Sequence, residues 1–183
     1  MRSIFIDEDD QCQVEILPSS QRLRCESLFM EIDRRLSNPA IADTSVIESF
    51  AASEEANQSV ELADLRISVS DVEGILNGKV AKYDVVETGM FMSREVAKNT
   101  IAFGNDVSET IFLEFTADGV VTNLYLRFCL YVWDVSSVLG RLLRGLGESY
   151  DLIFVDWPKR RIFGLCDENA MNTYFNDHVD GVL

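Results

Sequence analysis

Histidine is almost missing from this chain: of 183 residues only His178 carries an imidazole, near the end of the chain between Asp177 and Val179. A catalytic triad needs its base held rigidly by a third group within hydrogen-bond reach, and a polar tail does not supply that. His178 therefore reads as an exposed, incidental residue, and His-based zinc sites drop out with it. Cysteine is sparse and scattered, at Cys12, Cys25, Cys129 and Cys166, with no Cys-x-x-Cys pair. In a chain long enough to build a core without staples, that pattern predicts free, mostly buried thiols in a reducing cytoplasm. With three prolines, no low-complexity tract and no internal repeat, no interdomain linker is evident. One globular domain over residues 1–183 is expected, with an acidic, mobile segment at 40–59 and a polar tail at 176–183. Long apolar runs are absent too. The longest, Phe128 to Trp133, is far short of the ~20 residues that span a bilayer. Asp7, Glu8, Asp9 and Asp10 interrupt any signal-peptide core. The expectation is a soluble, cytoplasmic protein with no membrane partner.

Positive charge is the scarcest commodity. Sixteen Lys and Arg face 31 Asp and Glu, for a formal charge of −15. A nucleic-acid binder needs a cationic footprint to displace condensed counterions, so direct DNA or RNA binding is excluded. At 47% hydrophobic residues the chain is nonetheless far too apolar for a disordered acidic tail.

What is present is a pattern of hairpins and helices. Ser3 to Ile6 and Cys12 to Leu17 read as two short strands that form a hairpin across the acidic turn. After Pro18, Ser19 or Ser20 caps a helix running to Leu36, with Leu28, Phe29, Ile32 and Leu36 on its inner face. Leu65, Ile67 and Val69 alternate with Arg66 and Ser68 as a half-buried strand does. Ser70-Asp-Val-Glu73 fits a capping box opening a short helix that Gly78 ends. Tyr83 to Glu87 looks extended, and Ser93 to Lys98 fits either a helical turn or a strand. Ile111 to Phe115 and Val120 to Val132 form a hairpin around Asp118-Gly119. Val135, Val138, Leu139, Leu142, Leu143 and Leu146 follow helical spacing up to Gly147, which reads as the helix stop. Tyr150 to Trp157 and Arg161 to Cys166 form the last hairpin, and a short helix reaches Phe175. Strands grouped as hairpins with helices between them predict an α+β fold, a largely antiparallel sheet with helices packed on one face.

The chemistry is thin. Asp7 to Asp10 offers oxygens but lacks the glycine and closing glutamate of a calcium loop, and Asp167-Glu-Asn fails the same test. The glycines between Gly140 and Gly147 end a helix, where the dipole repels phosphate, so they make no P-loop. No catalytic residue, metal or cofactor is expected. Charge is unevenly placed, however. Residues 40–78 hold eight acids and one base, Arg66, for a net −7, and residues 101–126 hold Asp106, Glu109, Glu114 and Asp118 with no base. This is either an evenly solubilising surface or a concentrated face that steers a basic partner. Asp43, Glu48, Glu54, Glu55, Glu61 and Asp64 are the candidate steering residues. Lys159-Arg160-Arg161 is too short to bind nucleic acid and is expected to neutralise acidic surface nearby.

The segment Tyr150-Asp-Leu-Ile-Phe-Val-Asp-Trp-Pro-Lys-Arg-Arg-Ile-Phe-Gly-Leu-Cys-Asp167, with the helix to Tyr174-Phe175, resembles the terminal hairpin and helix of small bacterial immunity proteins from polymorphic or contact-dependent toxin systems. The resemblance covers about 25 residues and carries over no functional residue. It implies an intracellular, acidic, non-enzymatic protein that neutralises a cognate toxin. Two alternatives stand beside it: an inhibitor of a phage-defence or other nucleic-acid-binding protein, and a small carboxylate- or divalent-metal-dependent enzyme.

Overall fold

A computed structural model describes residues 2–7, 13–37, 60–76, 78, 80–90, 93–106, 109–128 and 138–176. Among them the strands are β1 (Ser3–Phe5), β2 (Val14–Pro18), β3 (Ala81–Tyr83), β4 (Val85–Met90), β5 (Ser93–Val96), β6 (Thr100–Asp106), β7 (Glu109–Phe115), β8 (Val121–Phe128), β9 (Leu152–Asp156) and β10 (Arg161–Gly164). The helices are α1 (Arg22–Leu36), α2 (Val69–Leu76), α3 (Val138–Ser149) and α4 (Glu168–Asn176). Seven strands form one antiparallel sheet in the order β10-β9-β2-β8-β7-β6-β3, and β1-β4-β5 form a small mixed sheet. The fold is α+β.

Strand register decides which side chains share a face, because directly paired residues point the same way. Ile16 pairs with Phe154, Val14 with Leu126, Ile111 with Leu126, and Leu113 with Leu124. These residues lie in the largest core, under Val72 and Leu76 of α2, Leu142, Leu143 and Leu146 of α3, and Tyr174 and Phe175 of α4. Phe154 anchors it, with ring centroids 4.6 Å from Phe163 and 5.1 Å from Tyr174. The intervening residues face the other way. Ile153 and Val155 pack against Cys25 and Phe29 of α1. Tyr125 and Phe112, stacked at 5.1 Å, pack with Ala102 and Tyr83 against Ile4, Ile6 and Val86 of the small sheet. The main sheet is thus covered on both faces, by α2, α3 and α4 on one and by α1 and the small sheet on the other.

Several local expectations are corrected. β1 does not form a hairpin with β2: it pairs in parallel with β4 through Val85, Val86 and Glu87, while β2 inserts between β8 and β9. Leu65 to Val69 is no strand. Leu62–Leu65 is a 3-10 turn, Ser68 makes one isolated bridge to Val120, and α2 begins at Val69. The capping box sits two residues earlier than the spacing suggested, with Ser68 Oγ accepting from the Asp71 N–H and Asp71 Oδ2 accepting from the Ser68 N–H. Glu73 instead pairs with Lys82 at 2.8 Å. Neither Ser19 nor Ser20 caps α1: residues 19–21 form a 3-10 turn, and the N-cap position is Gln21, without a side-chain cap. Leu36 is 70% exposed at the end of α1, past the part of the helix that the sheet covers. Segment 38–59, the tail from 177 onward and the far end of the expected Val120 to Val132 strand lie outside the described residues, as does His178.

Gly147 does not stop α3, which continues to Ser149. It is a close-approach residue: a Cβ there would sit 2.6 Å from Leu165 Cβ and 2.9 Å from its carbonyl carbon. Gly147→Ala is expected to destabilise by ~1–3 kcal/mol despite alanine's higher helix propensity, because the clash involves backbone. Gly74, in α2 with open space around it, should behave oppositely, with Gly74→Ala stabilising by up to ~1 kcal/mol. Urea denaturation of the two variants checks the opposite signs.

Candidate functional site

The chain enters and leaves the sheet several times at one end, and hydrogen bonds between those connections fix their positions. Pro18 ends β2 opposite Leu152, and the Ser19 N–H donates to the Asp151 carbonyl at 2.9 Å while Ser19 Oγ donates to the Asp151 carboxylate. Buried Gln21 donates through Nε2 to the Val60 carbonyl at 3.0 Å, bringing Glu61 to the same end. The Glu61 N–H donates to Asp64 Oδ2 at 2.8 Å, which closes the 3-10 turn. Arg66, in the left-handed region at φ 55°, redirects the chain so that Ile67 is fully buried. The Val69 N–H then donates to the Gly119 carbonyl at 3.0 Å, and the Val121 N–H to the Ile67 carbonyl at 2.8 Å. The start of α2 is thereby docked on the β7–β8 turn, whose Gly119 takes the φ of +81° that suits a residue without Cβ. Tyr150 lies close enough to Asp71 that its phenol is pushed up first by burial and then by the Asp71 charge.

The outcome is an acidic end: Glu61, Asp64, Asp71, Asp118 and Asp151 are all exposed and come from three connections and the first turn of α2. Each of the four aspartates accepts a local hydrogen bond. Hydrogen bonds from the Ser68 hydroxyl, first, and its N–H, second, hold the Asp71 carboxyl below the usual carboxylate range. The Thr116 hydroxyl does the same for Asp118, helped by its own N–H and more weakly by the charge of Arg66. Bonds to the ionised form favour it, so these groups stay charged in more acidic solution than free carboxylates do. The local bonds also restrict the rotamers, so little side-chain freedom remains to be lost on binding.

Of the six residues singled out from the sequence, Glu61 and Asp64 are at this end, whereas Asp43, Glu48, Glu54 and Glu55 lie outside the described residues. The fold joins the two acidic stretches of the sequence here, residues 40–78 through Glu61, Asp64 and Asp71, and residues 101–126 through Asp118. Asp151 had no signal of its own, since it sits within an apolar strand pattern and its partner Ser19 is 132 residues away. Lys159, Arg160 and Arg161 are not near this surface. They occupy the opposite end of β9, where Arg160 pairs with Asp33 of α1 at 2.8 Å and the Lys159 N–H donates to buried Asp156 at 2.9 Å. Tyr174 also donates to Asp156, and burial, with that bond second, pushes its phenol up.

Arg144, Glu148, Leu165, Cys166, Glu168 and Met171 line a cavity of about 190 Å³, below the ~300 Å³ at which small-molecule pockets begin. Cys166 there is exposed, contrary to the expectation of buried thiols, whereas Cys25 is buried and its thiol is pushed up to about 11, chiefly by burial. Cys12 and Cys129 lie outside the described residues. Among the described residues no three His, Cys, Asp or Glu side chains are grouped to hold a metal ion, and no helix is long and apolar enough to cross a membrane. Comparison with protein-family models, curated proteins and solved structures gave no match.

The lowered values of Asp71 and Asp118 mean that ionisation stabilises the folded state. That contribution is full above the ordinary carboxylate range near pH ~4, and is lost as the pH falls through the lowered folded-state values. Ser68→Ala removes the first cause at Asp71. Its titration midpoint, followed by carboxyl-carbon NMR, is expected to rise toward the ordinary aspartate range, and the protein to lose ~1 kcal/mol with the helix cap.

Proposed function

We propose that this chain is a non-enzymatic, cytoplasmic binding protein that neutralises a basic partner protein, as the immunity protein of a cognate toxin does. The observation that carries the reading is the meeting of carboxylates from three connections and the first turn of α2 at one end of the sheet, each aspartate held in place by a neighbour's hydroxyl or N–H. Such a surface imitates the phosphate array that a basic nuclease or other nucleic-acid-binding protein is built to grip, and it steers that partner over long range. Direct nucleic-acid binding is disfavoured by the same charge. The resemblance of the β9–β10–α4 segment to toxin-immunity proteins agrees with this role. A phage-defence or other nucleic-acid-binding protein as target would use the same chemistry.

Capture from source cells at low salt, with release at high salt, identifies the partner. Its association is then measured with wild type and with a variant carrying Asp64→Asn, Asp71→Asn, Asp118→Asn and Asp151→Asn. The amides keep acceptor oxygens for the local bonds while removing four charges. Association is expected to slow by about tenfold or more and to lose most of its salt dependence. Unchanged rates, or an acidic captured partner, would contradict the reading.

A further inference from the structure

The turn between β9 and β10, at the end of β9 away from the acidic end, gathers a second group of polar side chains around a buried carboxylate. Asp156 is the last residue of β9, and its side chain is only 4% exposed. Its Oδ1 accepts from the Lys159 N–H at 2.9 Å, and its Oδ2 accepts from the Tyr174 hydroxyl of α4. The Arg160 N–H donates to the Trp157 carbonyl at 3.2 Å and closes the turn. The Lys159 side chain folds back over this group. Its Nζ lies 3.9 Å from Asp156 Oδ2 and 5.3 Å from the centre of the Tyr174 ring, while a third of the side chain stays exposed. Burial holds the amine below the usual lysine range and outweighs the opposing charge of Asp156. Lys159 thus combines a raised share of neutral amine, a carboxylate within reach and an open approach from solvent.

The two arginines beside it differ. Arg160 is occupied by Asp33 of α1. Arg161 is exposed and forms no ion pair among the described residues. It is the direct cross-strand partner of Asp156, so the two side chains leave the sheet on the same face, and its charge is felt at Tyr174. A guanidinium with its donors uncommitted therefore sits on the face where the Lys159 amine lies.

We propose that Lys159 and Arg161 form an acceptor site for small acyl phosphates, with Lys159 Nζ as the group that is acylated. The neutral amine attacks the acyl carbon. The bond from that carbon to the bridging oxygen breaks, and inorganic phosphate leaves with the electron pair. The surplus proton on nitrogen passes to Asp156 and from there to water. Arg161 offers its fork of N–H donors to the phosphoryl oxygens, a geometry that suits phosphate better than an uncharged acyl donor. The product is an amide without charge beside a buried carboxylate, so the modification removes a cation that Asp156 has in the unmodified chain. The site is at the opposite end of β9 from the acidic end and stands independently of what that end binds.

The chain has four lysines, Lys79, Lys82, Lys98 and Lys159, so each can be followed separately. Folded protein is incubated with acetyl phosphate, and acetylation at each lysine is timed by peptide mass spectrometry. Lys82, held by Glu73 at 2.8 Å, and exposed Lys98 serve as internal references. Lys159 is expected to react about fivefold faster than either, or more. A rate at Lys159 equal to or below theirs overturns the proposal. A second arm compares wild type with Arg161→Gln, using acetyl phosphate and the uncharged N-hydroxysuccinimide ester of acetate. Arg161→Gln is expected to slow Lys159 acetylation by acetyl phosphate about threefold or more and to leave the rate with the uncharged ester unchanged. No slowing with acetyl phosphate, or equal slowing with both donors, overturns the assignment of Arg161 to the phosphoryl group.

Discussion

The insertion of β2 between β8 and β9 is the interaction on which the rest of the structure depends. Five residues, Val14 to Pro18, pair along β9 from Asp156 to Leu152, and Val14 and Glu15 also pair with β8. Without them the main sheet falls into two pieces, β10-β9 and β8-β7-β6-β3, each a product of local chain reversals. With them, Ile16 and Val14 join Phe154 to Leu126 in one core, and Leu17 continues the opposite face toward α1. Placing the β2 pairing one residue out of register would turn every one of these side chains to the wrong face. The same insertion brings Pro18 and Ser19 to Asp151, next to the first turn of α2 with Asp71 and the β7–β8 turn with Asp118. The acidic end is therefore a consequence of sheet topology as well as of composition.

Both faces of the sheet are buried, and for the small sheet the attachment is specific. Arg127 of β8 donates to the Phe5 carbonyl at 2.8 Å and lies over the Phe112 ring. β1 is held through this contact and through its parallel pairing with β4, a strand about 80 residues along the chain. Parallel and non-local, this pairing has no turn to announce it.

That difference accounts for what was legible in the sequence. The β7–β8 and β9–β10 hairpins were readable because their causes are local: Asp118-Gly119 permits the tight turn, and alternation at Leu124, Tyr125 and Leu126 matches opposite faces that are both buried. The β1–β2 pairing was misread because proximity in sequence favours a hairpin, whereas Val86 and Phe154, the residues that decide the partners, are distant. Leu65, Ile67 and Val69 alternate like a strand, but the Ser68–Asp71 capping bonds and the left-handed Arg66 turn the chain into α2. Gly147 carries the composition of a helix stop; only the approach of Leu165 explains its place inside α3. At the candidate site, Glu61, Asp64, Asp71 and Asp118 were visible as charge but not as one place, since their meeting requires α2 to dock on the β7–β8 turn. Asp151 was invisible because its position depends on Ser19, at the other end of the chain.

β2 unites the two halves of the sheet and so builds the acidic end. Native-state hydrogen exchange at the Glu15 and Ile16 amides tests this most directly. They are expected to exchange only through global unfolding, with the same free energy and denaturant dependence as Phe112 in β7 and Phe154 in β9. Exchange of β2 at a clearly lower free energy, while β7 and β9 stay protected, would show that the strand is an accessory to the fold and contradict the account.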